Sequence, residues 1–185
     1  MCNFVIPIPC TMKISGKKIK LRALEPSDVE LLYRWENDTN NWNVSNTLTP
    51  YSKHVLEQYI ANAHLDIYTT KQLRLVICDN KNIPLGCIDL FDFDPNHRRA
   101  GVGILIADKK NQTRGYASEA LFLLINYCFG TLNLHQLYCN ITIDNKTSLA
   151  LFKKYRFKIT GTKKSGIRDG NIFKDEYLLQ LINKV

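Results

Sequence analysis

The sequence has no apolar run near the roughly 18–20 residues that a helical bilayer crossing needs, so no membrane partner is expected. It has no CxxC pair, and its four histidines show no ligand spacing, so no metal site is expected. The six cysteines (Cys2, Cys10, Cys78, Cys87, Cys128, Cys139) stand singly, the last four inside apolar strand or helix patterns. That usage predicts buried free thiols in a reducing compartment, the cytoplasm, rather than a disulfide framework. The absence of G-K-[ST] excludes a P-loop, and the absence of G-x-G-x-x-G excludes a dinucleotide fingerprint. No repeat, low-complexity tract or linker interrupts the chain.

What is present suits one domain. With 185 residues, 45% hydrophobic and 23% charged, the chain can bury a sizeable core without disulfides or metal. The opening MCNFVIPIPCTM is apolar but has no basic n-region and contains two prolines, so it does not read as a signal peptide. Residues 1–12 are expected to form a poorly ordered extension, or to precede a true start at Met12, with the domain over 13–185. The formal net charge of +8 suits nucleic acid, an anionic membrane or an anionic small molecule, and does not choose among them.

Apolar periodicity predicts a strand over Ile19–Leu24, stopped by Pro26, then a helix capped by Ser27 with Glu30 completing a capping box. Residues 37–50 are polar and turn-rich and predict a loop; Thr49-Pro50 opens a second helix to about Ala63. Three antiparallel strands follow in QLRLVICD, IPLGCIDLFDF and RRAGVGILIA, then a helix over Tyr116–Phe129, a strand in LHQLYCNITI and a helix in NKTSLALFKKYRF. The C-terminal region reads as two strands turning at Arg168-Asp169-Gly170. The expected fold class is α/β (mixed α+β), a central, mostly antiparallel twisted sheet flanked by helices. A right-handed parallel crossover is expected over about 100–142.

The turn KKNQTRGYA leaves a strand and enters a helix directly. Gly115 permits φ > 0 or close approach of a ligand. The first amides of the helix lack intrahelical partners and carry the positive end of its dipole, which suits a phosphate. Lys109, Lys110 and Arg114 add positive charge beside it. Taken alone, the turn reads equally as an ordinary glycine turn with solvated lysines.

The segment Gln112-Thr113-Arg114-Gly115-Tyr116-Ala117 resembles the Q/R-x-x-G-x-G/A acetyl-CoA signature of the GNAT superfamily of N-acetyltransferases. Further on, Asn145-Lys146-Thr147-Ser148 resembles the family's N-x-x-A/S, and LFKKYRF its L-Y-x-K-x-G-F helix end. NHRRAGVGILI and RDGNIFKDEYLLQLI are similar to the diamine (spermidine) and ribosomal-protein-alanine N-acetyltransferase branches. The resemblance runs from about Ile19 to Ile182 and implies a single GNAT-like domain whose fourth and fifth strands splay apart, often at a bulge in the fourth. It implies that backbone groups of Gly103–Ala107, with Leu105, Ile106 and Ala107 foremost, hold the pantetheine arm of acetyl-CoA, one amide also polarising the thioester carbonyl. Gln112 would belong to the cofactor site, and backbone amides of Arg114, Gly115, Tyr116, Ala117 and Ser118 would take the pyrophosphate. Asn145 would contact the cofactor arm, cap the next helix, or both. Lys153 and Lys154 are candidates for the 3′-phosphate, although a solvated helix face explains them as well.

The resemblance implies direct attack of a neutral amine on the thioester, with a base to take its proton and an acid for the departing thiolate. Many members carry that acid as tyrosine seven residues after the motif asparagine; here Phe152 stands there and cannot donate. Tyr155, one helical turn on, and Ser148 are the substitutes, unless the thiolate leaves unaided. For the base, Asp92 and His97 lead a group that includes Asp89 and Asp94, with Asp92 and Asp94 expected on one strand face. Gly101 stands where diamine enzymes often carry glutamate. The acceptor loop Asn37–Tyr51 holds one acid, Asp38, among polar and aromatic residues including Trp42. This argues against spermidine-like substrates and leaves a protein N-terminus or small amine as acceptor, with a homodimer open. Two other functions compete: a CoA-binding regulator without catalysis, motivated by Phe152, and an RNA- or ribosome-binding module, motivated by KKIKLR and KKYRFK. No nucleic-acid motif supports the latter, and direct nucleic-acid binding is not expected.

Overall fold

The computed structural model describes residues 14–45 and 47–184; the expected extension over 1–12 lies outside the described residues. One eight-stranded sheet has the order β1-β2-β3-β4-β5-β6-β8-β7. The strands are β1 (Ile14–Ser15), β2 (Ile19–Arg22), β3 (Leu73–Asp79), β4 (Pro84–Asp94), β5 (Arg99–Ile106), β6 (Gln136–Thr142), β7 (Lys158–Asp169) and β8 (Ile172–Ile182). Every neighbouring pair is antiparallel except β5 and β6. The helices are α1 (Val29–Glu36), α2 (Thr39–Ser45), α3 (Lys53–Ala61), α4 (Ile67–Thr70), α5 (Tyr116–Gly130) and α6 (Lys146–Lys154).

The central strands are apolar on both phases because both sheet faces are covered. In β3, Leu75 and Ile77 enter one core with Ala120, Leu121, Leu124 and Cys128 of α5 and Leu149 and Phe152 of α6. Val76 and Cys78 point the other way, into a smaller core with Leu32 of α1 and Leu56 and Ile60 of α3. Successive residues feed opposite layers, as the pleat requires. Cys78, Cys87, Cys128 and Cys139 are all buried and free. Burial pushes the Cys128 and Cys139 thiols up to about 12, which leaves them inert at neutral pH.

Three local expectations need correction. The first helix is not capped by Ser27 and Glu30. Pro26–Asp28 forms a 3₁₀ turn, and buried Asp28 accepts from the Glu25 amide and from two nitrogens of Arg22. Residues 37–50 are not all loop, since α2 lies within them; Trp42 donates to the Glu36 carbonyl and ties that polar helix down. Such a helix has no apolar period for sequence reading to detect. The next helix opens at Lys53 rather than at Thr49-Pro50, because Ser52 caps it by accepting from the Val55 amide. The short strand β1 and helix α4 were not expected either.

Candidate active site

Strands β5 and β6 pair at Arg99–Gln136, Ala100–Leu137 and Gly101–Tyr138. Beyond Gly101 they separate, and no further pair forms between them among the described residues. The other edge of β5 stays zipped to β4 as far as Gly86–Ile106. Backbone groups of Val102–Ile106 on the β6 side therefore face a gap instead of a ladder. The irregularity expected in RRAGVGILIA, which forms β5, stands instead in β4: the β4–β5 register shifts between Phe91 and Asp94, and Asp92 has φ +49°. This bulge breaks the alternation that would have put Asp92 and Asp94 on one face.

The open end of the gap leads to the turn before α5. Gly115 is the residue before the helix and sits at φ +87°, ψ 1°, left-handed backbone that glycine adopts without Cβ strain. The first amides of α5 are thereby presented to a cavity of about 690 Å³. Its walls include Leu105, Ile106 and Ala107 from the end of β5, then Gln112, Gly115 and Tyr116 from the turn. Ala117 and Ser118 of α5 and Asn145, the residue before α6, also line it. Gln112 donates through Nε2 to the Ile106 carbonyl, 3.2 Å, bracing the turn on the strand. Asn145 caps α6, its Oδ1 accepting from the Ser148 amide at 3.1 Å. Arg114 is exposed and outside these walls, but its carbonyl accepts from Lys18 Nζ at 3.3 Å. Lys18 is a cation beside the turn that sequence reading missed, because it comes from the distant β1–β2 connection.

The structure thus fits acetyl-CoA on two counts: an unpaired strand edge for an amide-bearing arm, and a left-handed glycine opening a helix N-terminus for a diphosphate. Among the described residues no cluster of three or more metal-ligating side chains occurs.

A second cavity, about 570 Å³, opens on the α1–α3 side of the sheet. Arg74 on β3 crosses its wall, with Nε and Nη2 donating to Asp89 at 2.9 and 3.0 Å and Nη1 to Glu36 at 2.5 Å. Burial opposes the Arg74 charge, yet the Asp89 carboxylate outweighs it and holds the guanidinium firmly protonated. Asp89 therefore sits in an ion-pair network. From the far side, Asn140 of β6, Lys163 of β7 and Glu176 of β8 reach the same cavity. Sequence reading singled out none of these three; the available signal was polar residues on the strand phase opposite Cys139, Ile141 and Leu179. Ile104 and Leu105 of β5 line both large cavities. A smaller space of about 360 Å³ fills the gap itself, walled by Ile104, Ser148 and Phe152 among others.

The remaining expected residues are dispersed. Phe152 is buried and packs edge-on against Phe157, ring centroids 5.0 Å apart. The Tyr155 hydroxyl and Ser118 Oγ are hydrogen-bonded at 2.8 Å, and Lys154 Nζ donates to the same Oγ at 2.8 Å. Tyr155 and Lys154 are thus gathered at the start of α5, while Lys153 is exposed. Asp92 is exposed and accepts from the Tyr138 hydroxyl at 3.1 Å, at the zipped end of the splay. Burial first, then the Asp92 charge, pushes Tyr138 up to about 12. His97 is exposed in the β4–β5 turn, its amide donating to Asp94 at 2.9 Å. At Gly101 a Cβ would meet the Phe91 ring at 2.2 Å; that ring fills the space a glutamate side chain would need. Asp38 faces the first cavity rather than the second. In KKIKLR, Ile19 and Leu21 are buried, the mark of a half-buried strand rather than a basic binding arm.

The comparisons with known proteins agree with this geometry. The family model described as acetyltransferase (GNAT) domain matches residues 18–158. The chain belongs to the GNAT acetyltransferase family. As a GNAT enzyme it is an acetyl-CoA-dependent acetyltransferase. Spermidine N(1)-acetyltransferase of Vibrio cholerae is 28% identical over 144 residues, 77% of this chain and 80% of that protein. Spermidine N(1)-acetyltransferase of Escherichia coli K12 is 28% identical over 151 residues, 80% of this chain and 76% of that protein. The crystal structure of spermidine N-acetyltransferase from Vibrio cholerae in complex with CoA and spermine superposes with a TM-score of 0.81 at 23% identity. That match covers 90% of this chain and 96% of that one, a likeness of fold.

Proposed function

We propose that this acetyltransferase moves the acetyl group of acetyl-CoA to a small primary amine by direct attack in a ternary complex. One observation carries the reading: the cavity lined by the Gly115 turn and the cavity lined by Glu36, Asp89 and Glu176 meet on Ile104 and Leu105. A donor entering along β5 and an acceptor entering from the α1–α3 side reach the same two residues. When bound, acetyl-CoA supplies a thioester carbonyl that an amine attacks. The chain's own part is to hold the donor on backbone amides of Val102–Ala107, to seat its diphosphate at the start of α5, and to orient the amine. An ammonium has no lone pair, so the amine must shed a proton before attack.

The acceptor class draws support from charge. The loop 37–50 supplies few acids, but Glu36, Asp89 and Glu176 come from α1, β4 and β8, and face Arg74 and Lys163. Three carboxylates against two cations leave a wall that favours a cationic guest. The names of the spermidine-acetylating relatives point the same way.

The test is thiol release from acetyl-CoA over a panel of diamines, polyamines and peptides with free N-termini. Acceleration by small amines is the expected result. Acceleration by peptides alone would move the acceptor to protein N-termini. Binding of acetyl-CoA with no acceleration by any amine would make the chain a CoA-binding regulator.

A further inference from the structure

The floor of the acceptor cavity is a patch of β6, β7 and β8 on one sheet face. Thr142 pairs with Glu176, Asn140 with Leu178, and Lys163 with Glu176, so Asn140, Glu176 and Lys163 project to the same side. Their neighbours Cys139, Ile141 and Leu179 project to the opposite side, into the main core. Asn140 and Glu176 are diagonal neighbours, at a spacing of about 7–8 Å typical of such positions.

Both present acceptors that the protein itself leaves poorly answered. Asn140 Oδ1 is buried and has no hydrogen-bond partner among the described residues. Glu176 is 8% exposed, and the cation on it is Lys163, Nζ to Oε2 3.3 Å, whose side chain is 54% exposed. The other cation of the cavity, Arg74, spends its nitrogens on Asp89 and Glu36. A buried amide oxygen and a buried carboxylate on one wall call for the same complement, a cationic group with several N–H donors. A primary ammonium has three.

We infer that Asn140 Oδ1 and the Glu176 carboxylate form the ammonium subsite of the acceptor, with Lys163 a placeholder that the substrate displaces. This rests on the acetyl-transfer reading and names its substrate class: primary amines that arrive protonated. Lys163 reaches Glu176 from a mostly solvated position, so its withdrawal exposes little apolar surface and frees the carboxylate. Glu36, Asp89 and Arg74 remain locked together on the opposite wall and set the excess negative charge that draws the ammonium in.

The experiment compares wild type, Glu176→Gln, Lys163→Ala and Asn140→Leu. It uses steady-state kinetics with spermidine and 1,4-diaminobutane, calorimetry with CoA, and melting curves with each amine in the absence of acetyl-CoA. Glu176→Gln is expected to raise the amine KM by about tenfold or more, as loss of a charge-assisted bond does, with kcat and CoA affinity little changed. Lys163→Ala is expected to lower the amine KM, an effect that a purely structural ion pair would not produce. Asn140→Leu is expected to raise it by a few-fold. Amines should raise the melting temperature of wild type and Lys163→Ala but not of Glu176→Gln. Should Glu176→Gln fail to fold, Lys163→Ala and Asn140→Leu still decide. An amine KM indifferent to Lys163→Ala and Asn140→Leu, or melting shifts that survive Glu176→Gln, would overturn the subsite. Absence of thiol release with every amine would overturn acetyl transfer instead, while the melting shifts would still judge the subsite on its own.

Discussion

The two cavities that meet on Ile104 and Leu105 are built by different means. The donor side is mostly main chain: an unpaired edge of β5, a glycine at φ +87° and the first amides of α5, all supplied by consecutive sequence over 102–118. The proposed acceptor side relies on side chains from α1, β3, β4, β6, β7 and β8, with one to three residues from each, set against the shared strand β5. Backbone recognition tolerates side-chain change provided the conformation is kept. Side-chain recognition lets the acceptor vary while the fold stays put.

If that contrast is right, lesions on the two sides should differ in kind. The largest effect is expected from Arg74→Met, which strands Glu36 and Asp89 together in a half-buried wall. It should cost about 3 kcal/mol of folding stability, the low end for breaking a buried ionic group, read by denaturant unfolding, while CoA affinity in the folded protein holds. Next is Gly115→Val. A non-glycine residue in that left-handed conformation is strained by about 1–3 kcal/mol, and relaxing it turns the α5 amides away from the diphosphate. CoA affinity should fall by up to about 100-fold, with circular dichroism unchanged; undiminished affinity would break the comparison.

A pH effect comes third and lies outside both cavities. Burial works against the Asp28 charge, but hydrogen bonds from Arg22 and the Glu25 amide outweigh it and hold the carboxyl below its ordinary value of 3.8. The carboxylate form thus favours the folded state, so its contribution is complete above about pH 4–5 and is lost as pH falls through the lower folded value. Asp28→Asn should cost about 1–3 kcal/mol at pH 7 and flatten the loss of stability on acidification. The smallest effect is expected from Tyr155→Phe. Its hydroxyl is engaged with Ser118 at the diphosphate end, so kcat should change less than about threefold, a fraction of a kcal/mol. A hundredfold fall in kcat would instead make Tyr155 the acid for the departing thiolate.

The same contrast explains what was legible in the sequence. The donor side could be read because its parts are contiguous: Gln112 to Ala117 name a turn, and the apolar period after it names a helix. The central strands could be located from apolar runs with both phases buried, such as Leu75 to Cys78, but their order in the sheet could not. The proposed acceptor side was legible only at Asp89, because Glu36, Arg74, Asn140 and Glu176 converge with it only after folding, and each of those four alone reads as a solvated residue. Counting acids in the loop 37–50 therefore did not reach Glu36, Asp89 and Glu176, which line the cavity from other elements. Alternation failed at Asp92 because a bulge shifts the register there, and α2 was missed because Trp42, rather than an apolar stripe, holds it.

Amide hydrogen exchange with and without saturating CoA tests the central claim most directly. The account predicts slowed exchange concentrated in residues 102–107 and 115–118, with β3 and the closed β4 edge unchanged. Uniform protection across the sheet, or none in those two segments, would contradict a donor held in the gap between β5 and β6.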